Sequence, residues 1–407
     1  MIPVEEARAR ILHAIAPTPA ETVPLADGHA RVLAQAVRAR VTQPPAAVSA
    51  MDGYAVRAAE AQPGAALRLV GAAPAGRPFA GRLSPGEAVR IFTGGFVPEG
   101  ADAILLQEDA DIGPDIGPGP GASTVAAREA PAPGRWIRPA GLDFREGEEL
   151  LPAGRRLTPR DIGLAAAGNH PWLVVHRRPR IGILATGDEI ALPGEPIPAG
   201  GIVSSNAHGL AAFIRARGGE ALVLPIAPDD RGAIAAAARG ARGCGLLVTT
   251  GGASVGEHDL VQEALGPDGF QLDFWKVAMR PGKPLIWGDL GGVPLLGLPG
   301  NPVSALVCAY VFLAPVLAAL QGLDPEGAPP ILPARLGAAL PANDGRADHL
   351  RATLARRPGD GALVASAFAR QDSSMVALLA RADCLILRAP HAPAVPEGHD
   401  IRVIPLD

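Results

Sequence analysis

The chain has 407 residues, of which 48% are hydrophobic and 19% charged, and its formal net charge is −4. This length exceeds what one ordinary hydrophobic core supports, so we expect several domains. The near-neutral charge balance argues against nucleic-acid binding, because such domains carry a basic face. Apolar segments continue along the whole sequence despite 50 Gly and 43 Pro, which excludes a disordered chain.

Lysine is almost absent from this sequence. Of 37 basic residues only Lys276 and Lys283 are lysines, and both lie in the segment FWKVAMRPGKP. Nucleotide bias in the source genome, favouring arginine over lysine, is one explanation. The other is that these positions need a compact, titratable ammonium that a planar guanidinium cannot replace. The count alone leaves both explanations open.

Cysteine usage and hydropathy bound the cellular compartment. The three cysteines are widely spaced and form no CxxC pair, which excludes a disulfide framework and a thiolate zinc site. The segment MIPVEEARARILHAI lacks a signal-peptide pattern, so we expect a cytoplasmic protein. Residues 302–320 are apolar enough for a membrane span, but they follow the helix-capping pair Asn301-Pro302. We therefore expect a buried or interface helix there and no membrane partner.

The predicted elements begin with an amphipathic helix at 4–15 and a second helical segment at 24–40. Between 42 and 150, short β-type runs alternate with Gly and Pro turns, which predicts a mostly β insertion. Helix returns at 158–168, where Thr158-Pro159 is typical of a helix start. We assign residues 1–41 and 145–177 to one helical and mixed domain, and 42–144 to a β-rich inserted domain.

The pattern of predicted elements changes at residue 178. Apolar strands such as RIGILAT, ALVLPIA and GLLVTT alternate with predicted helices, which lie near 205–217, 231–241, 257–265 and 302–320. This alternation predicts a parallel, doubly wound α/β domain over 178–322. After the Pro/Gly-rich linker GLDPEGAPP, short strands and turns predict a small C-terminal β domain over 328–407.

Two motifs of the α/β domain suit anion binding, because ligands of doubly wound sheets bind off the carboxyl ends of the strands. The loop TTGGASVG follows a strand and precedes a helix, so its N–H groups can converge on an anion. A tight strand–helix turn is the alternative. The helix start LPGNPVSA can bind an anion or simply cap its helix. The candidate substrate-binding residues of the two motifs are Gly251, Gly252, Ser254, Gly256, Asn301 and Ser304.

Carboxylates follow successive strands of the same domain: Glu189, Asp229 and, just past the glycine loop, Asp259. Such a set suits Mg²⁺, which binds a few carboxylates together with phosphate oxygens. Any one of them alone is more often a helix cap or a solvated charge.

The segment FWKVAMRPGKP brings three cations, Lys276, Arg280 and Lys283, to the same region. Three cations beside the carboxylates at the strand ends suit a polyanionic ligand. An ordinary basic surface is the alternative, although Lys276 lies in an otherwise apolar strand segment.

Taken together, the motifs resemble the molybdopterin molybdenumtransferase family, the MoeA and gephyrin E-domain proteins. The matching segments run in order along nearly the whole chain and are SAMDGYAVR, TGGFVPEGAD, RPAGLDF, ATGDEI, SSNAHGL, PDD, TTGGASVGEHD, FWKVAMRPGKP and LPGNPVSA. The resemblance implies a MogA-like central α/β domain and an elongated homodimer with the active cleft between subunits. It also implies molybdopterin adenylyltransferase as an upstream partner.

The family inserts molybdenum from molybdate into adenylylated molybdopterin and releases AMP, assisted by Mg²⁺. Arg280 stands where the family commonly has Lys, and Asp372 stands where a Gly is expected. Together with Lys283 of the adjoining PGKP turn, the catalytic residues that the resemblance implies are Asp52, Thr93, Asp143, Glu189, Asp259, Lys276 and Arg280. The implied metal ligands are Glu189, Asp229 and Asp259. The implied oxyanion contacts in the last domain are Arg351 and Ser373.

Three other functions remain open from the sequence. A molybdopterin adenylyltransferase has a similar α/β domain, but it lacks the MDGYA region and the C-terminal β domain. A nicotinamide-nucleotide-cleaving relative shares the α/β domain too, with the same objection. The non-enzyme alternative is a molybdopterin-binding scaffold, because a gephyrin-type E domain also clusters receptors.

Overall fold

The computed structural model describes residues 1–113, 123–251 and 263–406. The helix expected near 257–265 lies largely outside these residues. The helices within them are α1 (Val4–His13), α2 (Pro159–Ala167), α3 (Asn206–Ala216), α4 (Arg231–Ala238), α5 (Pro302–Leu320, with a π-helical turn at Ala309–Leu313) and α6 (Val376–Leu379).

The N-terminal half is rich in short strands, as its alternating β-type runs predict. Six of them form one sheet of order β7-β4-β6-β5-β9-β8, and the others pair as β1 with β12, β2 with β11 and β3 with β10. This confirms the β-rich insertion. The strands are β1 (Ala20–Pro24), β2 (Val37–Arg38), β3 (Val48–Ser49), β4 (Gly53–Val56), β5 (Ala66–Ala73), β6 (Glu87–Ile91), β7 (Ala103–Leu106), β8 (Ala110–Gly113), β9 (Thr124–Ala127), β10 (Ile137–Arg138), β11 (Glu149–Leu151) and β12 (Trp172–His176).

The helical segment predicted at 24–40 is wrong. Only a 3₁₀ turn at Leu25–Asp27 and the short β2 form there. The Leu33 N–H donates to the Arg155 carbonyl, and the Ala34 N–H donates to the Val174 carbonyl. These backbone groups are therefore paired with neighbouring strands, which removes them from any helical ladder.

The central domain contains a six-stranded mixed sheet of order β16-β13-β17-β21-β20-β18. Four neighbouring strands pair in parallel, but β20 pairs antiparallel with both β21 and β18, so the fully parallel sheet predicted from the alternation is wrong at one edge. The loop Gly291–Gly292 explains this, because two residues can join only antiparallel strands. The strands are β13 (Arg180–Ala185), β14 (Ile190–Ala191), β15 (Ile202–Val203), β16 (Glu220–Val223), β17 (Leu246–Thr250), β18 (Phe270–Trp275), β19 (Met279–Arg280), β20 (Ile286–Leu290) and β21 (Val293–Leu298).

The C-terminal domain is a small barrel. Pairing of β23 with both β24 and β25 closes five strands in the order β23-β24-β22-β26-β25, and β19 of the central domain adds to β23. This agrees with the predicted C-terminal β domain. The strands are β22 (Leu332–Leu336), β23 (Ala347–Arg356), β24 (Leu363–Ala367), β25 (Cys384–Arg388) and β26 (Asp400–Pro405).

Helix α5 lies at the centre of the largest core. Its side chains pack with buried residues of α1, the central sheet and the C-terminal barrel. The helix is long and apolar enough to cross a membrane, yet most of it is buried inside the protein. This confirms the prediction of a buried helix and explains its composition without a lipid environment.

His349 on β23 is the most deeply buried histidine among the described residues. Its Nδ1 has no hydrogen-bond partner within the described part of the chain. Burial lowers the pKa of this imidazole from 6.5 to about 4, despite the charge of neighbouring Asp348. The neutral form is therefore the one that the fold accommodates.

We predict that stability falls as the pH is lowered from 6.5 to 4, because His349 takes up a proton in the unfolded state before it does so in the folded state. The loss reaches about 3 kcal/mol below pH 4. Urea unfolding of wild type and His349→Gln between pH 7 and pH 4 measures it. We expect the variant to show a flatter profile and the exposed-histidine control His208→Gln to follow wild type. Equal slopes in wild type and His349→Gln would contradict the prediction.

Candidate functional site

A cavity of about 680 Å³ opens at the carboxyl ends of β13, β17 and β21. This is where an α/β sheet places its ligands. The cavity gathers residues that are far apart in the sequence and follow five strands of the central sheet, β13, β16, β17, β18 and β21. The predicted site residues that line it are Glu189, Asp229, Gly251, Lys276, Lys283 and Asn301.

Both lysines of the chain lie on the same connection, the lysine strap, which we define as residues 276–285 between β18 and β20. The Lys276 Nζ lies 3.4 Å from the centroid of the Trp275 ring, a cation–π contact that orients the ammonium group. Lys283, near the other end of the strap, is exposed and lines the cavity together with Pro284. The strap therefore presents two cations to one space.

The acidic wall of the cavity comes from the loops after β13 and β16. Asp229 donates its backbone N–H to Asp188 Oδ1 over 3.1 Å, which joins the two loops. Glu189 and Asp229 thereby line the same cavity, whereas the third predicted ligand, Asp259, lies outside the described residues. Within the described ranges no group of three or more His, Cys, Asp or Glu side chains forms. Two carboxylates in the wall of a cavity that also holds two lysines still fit Mg²⁺, which takes few protein ligands.

The described end of the glycine loop makes a close backbone approach. Gly251 has a φ of +91°, and a Cβ there would lie 2.4 Å from the Thr186 carbonyl oxygen. Glycine is therefore required for this turn. The remaining predicted loop residues, Gly252, Ser254 and Gly256, lie outside the described part of the chain.

Sequence reasoning missed two polar residues of the cavity wall. The Thr186 hydroxyl is buried and has no hydrogen-bond partner among the described residues. Asn206 Nδ2 donates to Thr250 Oγ1 over 2.8 Å and to the Gly300 carbonyl over 2.7 Å. Asn206 thus ties helix α3 to the ends of two strands. Thr186 lies in the motif ATGDEI and Asn206 in the motif SSNAHGL, and these two motifs could have indicated the residues from the sequence.

The start of helix α5 is held by the C-terminal domain. Asn301 occupies the N-cap position, as the pair Asn301-Pro302 predicts, but among described residues its side chain makes no capping bond. Its Nδ2 instead donates to Ser373 Oγ over 3.0 Å, and the Val303 N–H donates to the Ser373 carbonyl over 3.1 Å. Ser374, the next residue, lines the cavity, whereas Ser304 is buried in the helix and does not line it.

Arg351 is fully buried and does not line the cavity. Its Nε donates to Gln371 Oε1 over 3.1 Å, and its Nη1 donates to the Asp372 carbonyl over 2.6 Å. Burial lowers the pKa of this guanidinium. Arg351 therefore supports the loop that carries Ser373, and its Nη2 has no partner among the described residues.

Arg280 lies on the strap but outside the cavity lining. Its Nε and Nη2 donate to the two carboxylate oxygens of Asp348 over 2.9 and 3.0 Å. This bidentate pair joins the strap to the C-terminal barrel. The structure thus separates Arg280 from the two lysines, with which the sequence groups it.

The three predicted residues of the N-terminal half lie on the inserted domain and not in the cavity wall. The Thr93 N–H and Oγ1 donate to Asp52 Oδ1 over 2.7 and 2.8 Å. These bonds, the backbone one first, hold the pKa of Asp52 below its usual value. Asp143 is exposed on a neighbouring turn whose backbone bonds to Gln43.

Fold and cavity together define a multidomain α/β protein whose charged cavity lies at the carboxyl edge of a mixed sheet. Residues 2–168 match the MoeA N-terminal region (domain I and II). Residues 182–319 match the probable molybdopterin binding domain, and residues 333–406 match the MoeA C-terminal region (domain IV). The chain belongs to the MoeA family.

Individual relatives agree with this assignment. A molybdopterin molybdenumtransferase of Haemophilus influenzae is 32% identical over 409 residues, covering 100% of this chain and 99% of the relative. Molybdopterin molybdenumtransferase 2 of Mycobacterium tuberculosis is 39% identical over 349 residues, covering 83% and 84%. The crystal structure of a molybdopterin biosynthesis MoeA protein from Pyrococcus horikosii superposes with a TM-score of 0.84 at 27% identity, covering 100% and 99%.

We predict that Asn206→Ala lowers the free energy of unfolding by about 1–3 kcal/mol, because it leaves the buried Thr250 hydroxyl without a donor and removes the bond to the exposed Gly300 carbonyl. The exposed residue His208 on the same helix supplies the matched control, His208→Ala, for which we expect a change below about 0.5 kcal/mol. Urea unfolding followed by circular dichroism measures both. Equal stability of the two variants would show that the Asn206 bridge contributes nothing.

We also predict that Thr93→Val raises the pKa of Asp52 toward its usual value, since one of two hydrogen bonds to the carboxylate is lost. The rise is incomplete, because the backbone bond remains. Carboxyl ¹³C titration measures it. Asp111, whose pKa is lowered by its bond to Arg128, serves as the internal control and stays unchanged. An unaltered Asp52 titration would mean that the hydroxyl bond is not formed in solution.

Proposed function

We propose that this chain is a molybdopterin molybdenumtransferase, which inserts molybdenum from molybdate into adenylylated molybdopterin and releases AMP. The observation that carries the proposal is the joint placement of Lys276, Lys283, Glu189 and Asp229 around one cavity. Cations suit the phosphates and the molybdate dianion, and carboxylates suit a bridging divalent cation. The family relationship of the whole chain supports the same reaction.

The residues of the cavity suggest a division of roles. Lys276 and Lys283 bind the phosphate and molybdate oxygens and offset the negative charge that develops when the bond to AMP breaks. The Gly251 turn and the hydroxyl of Thr186 hold the substrate at the sheet edge. Ser374 and the neighbouring Ser373 of the C-terminal loop approach from the opposite side, where Arg351 fixes their backbone.

Mg²⁺ is part of the proposal. Glu189 and Asp229 line the cavity and, with Asp259, would hold the ion. The ion would supply positive charge to the phosphate oxygens and so favour departure of AMP. The bond from the Asp229 N–H to Asp188 joins the two loops that carry these carboxylates, and so would help to place them for the ion.

We further propose a cytoplasmic homodimer that receives its substrate from a molybdopterin adenylyltransferase, with no nucleic-acid or membrane partner. Asp52, Thr93 and Asp143 lie on the inserted domain rather than in the cavity of their own chain. They would act at the cavity of the partner subunit. The exposed apolar side chains of Phe92 and Leu142 beside them suit such an interface.

The test is AMP release from adenylylated molybdopterin, with Mg²⁺, in the presence and absence of molybdate. We expect molybdate-dependent release and a decrease of about 100-fold in kcat for Lys276→Met, because a preorganised cation is removed. Lys276→Arg should recover little of it, since a planar guanidinium presents its donors in a different geometry from a compact ammonium. The exposed residue Arg242 provides the control Arg242→Gln, for which we expect wild-type turnover.

Two results would contradict the proposal. Release of AMP that is independent of molybdate would indicate a simple hydrolase. Full activity of Lys276→Met would indicate that the reaction does not take place in this cavity.

A further inference from the structure

The lysine strap has an unusual backbone at its first residue. Lys276 has a φ of +72°, a left-handed conformation that a non-glycine residue adopts only when its surroundings enforce it. Its N–H donates to the Leu285 carbonyl over 3.2 Å, and the Val277 N–H donates to the Lys283 carbonyl over 2.9 Å. These two bonds tie the ends of the strap together, but they do not place it relative to the rest of the protein.

One external attachment comes from Ile2, ahead of helix α1. The Ile2 N–H donates to the Lys276 carbonyl over 3.2 Å, and the Ala278 N–H donates to the Ile2 carbonyl over 2.8 Å. Ile2 thereby forms a parallel bridge with Val277. Its side chain packs against the main core, which anchors the bridge to the protein interior. The two bonds hold the peptide groups on either side of Val277, the residue that follows the left-handed Lys276.

The other attachment comes from the C-terminal barrel. The Ala347 N–H donates to the Ala278 carbonyl over 2.9 Å, and β19 pairs with β23 at Met279 and Arg280. The Asp348 side chain is only 5% exposed and accepts both bonds from Arg280. A buried carboxylate with a bidentate partner is a strong and directional link.

The strap also approaches helix α5 closely. Gly282 has a φ of +111°, and a Cβ there would lie 2.4 Å from Cys308 Sγ. Val277 and Met279 are fully buried in the same core. The strap can therefore shift toward neither the core nor the barrel without breaking contacts, and only its cavity side is open.

We propose that Ile2 and Asp348 are positioning residues, which act from opposite sides of the strap to hold Lys276 in its left-handed conformation against Trp275. Neither residue lines the cavity. Ile2 acts through two backbone bonds, and Asp348 acts through Arg280. For its effect on turnover this inference depends on the proposed function, whereas the position of Lys276 can be measured without it.

The chain offers a direct spectroscopic measurement, because Lys276 and Lys283 are its only lysines. Reductive methylation with ¹³C-formaldehyde gives each lysine a dimethylammonium signal and preserves its charge. In the wild type we expect the Lys276 signal to be shifted upfield by the ring current of Trp275, which lies 3.4 Å away. Lys283→Arg assigns the two signals.

The test compares two variants with matched controls. Ile2→Pro removes the N–H that bonds to Lys276, and Ile2→Val is its control, because it keeps both backbone bonds. Asp348→Asn removes the charge that holds Arg280, and Asp344→Asn is its control. Asp344 also lies near Arg280, with its Oδ2 3.6 Å from Nη1, but it is 48% exposed.

We expect both test variants to lose most of the upfield shift of Lys276, and both controls to keep it. In the AMP-release assay the test variants should lose about 10-fold to 100-fold in kcat with a smaller change in KM, because a bound substrate meets a misplaced cation. Retention of the shift in both test variants would overturn the inference, whatever happens to turnover. Loss of the shift with unchanged molybdate-dependent turnover would leave the positioning intact and count against the proposed catalytic function of Lys276.

A wild-type measurement covers the case in which a variant does not fold. Amide hydrogen exchange of Val277 reports its bond to the Lys283 carbonyl, and exchange of Ala278 reports its bond to the Ile2 carbonyl. We expect protection comparable to that of β23. Exchange as fast as that of exposed loops would overturn the inference without any substitution.

Discussion

Burial of helix α5 is the constraint on which the remaining architecture depends. Each large apolar side chain removed from water contributes about 1.5–3 kcal/mol, and this helix offers apolar side chains on every face. One surface alone cannot bury it, so α1, the central sheet and the C-terminal barrel all pack against it. The packing fixes where the helix begins, and Asn301 at that start lines the cavity. The core and the site are consequences of the same burial.

The same packing explains why the C-terminal domain belongs to the site although its barrel is separate. Two segments link the described part of the barrel to the walls of the cavity. One is the loop of Ser373, whose carbonyl satisfies the Val303 N–H at the start of α5. The other is β23, which extends the barrel onto the strap through β19. A rotation of the barrel would therefore move a helix start and the strap together, which couples both walls of the cavity.

The sequence predicted elements well where the local pattern and the tertiary environment agree. Helix α2 shows the capping box that Thr158-Pro159 indicates, and α5 is the buried helix expected from its composition. The prediction failed at 24–40, where pairing with distant segments decided the structure, and at β20, whose direction is set by the two-residue loop to β21. Asp348 lies in none of the matching segments, and although Asn206 lies in SSNAHGL, its bonding partners cannot be predicted from that motif. Their bonds to Arg280 and Thr250 span 68 and 44 residues, and no local pattern encodes such contacts.

The scarcity of lysine now has a physical account within the strap. Arg280 holds both oxygens of Asp348, a geometry that suits the planar fork of a guanidinium. An arginine at this position is therefore compatible with the fold. Lys276 instead places a compact ammonium over an indole ring, and Lys283 faces the same cavity without a carboxylate fork to match. Nucleotide bias can replace lysine by arginine where the cation pairs with a planar carboxylate. Selection opposes this replacement where the cation faces a bound ligand. The two lysines are the strap's charged residues that line the cavity, beside Pro284.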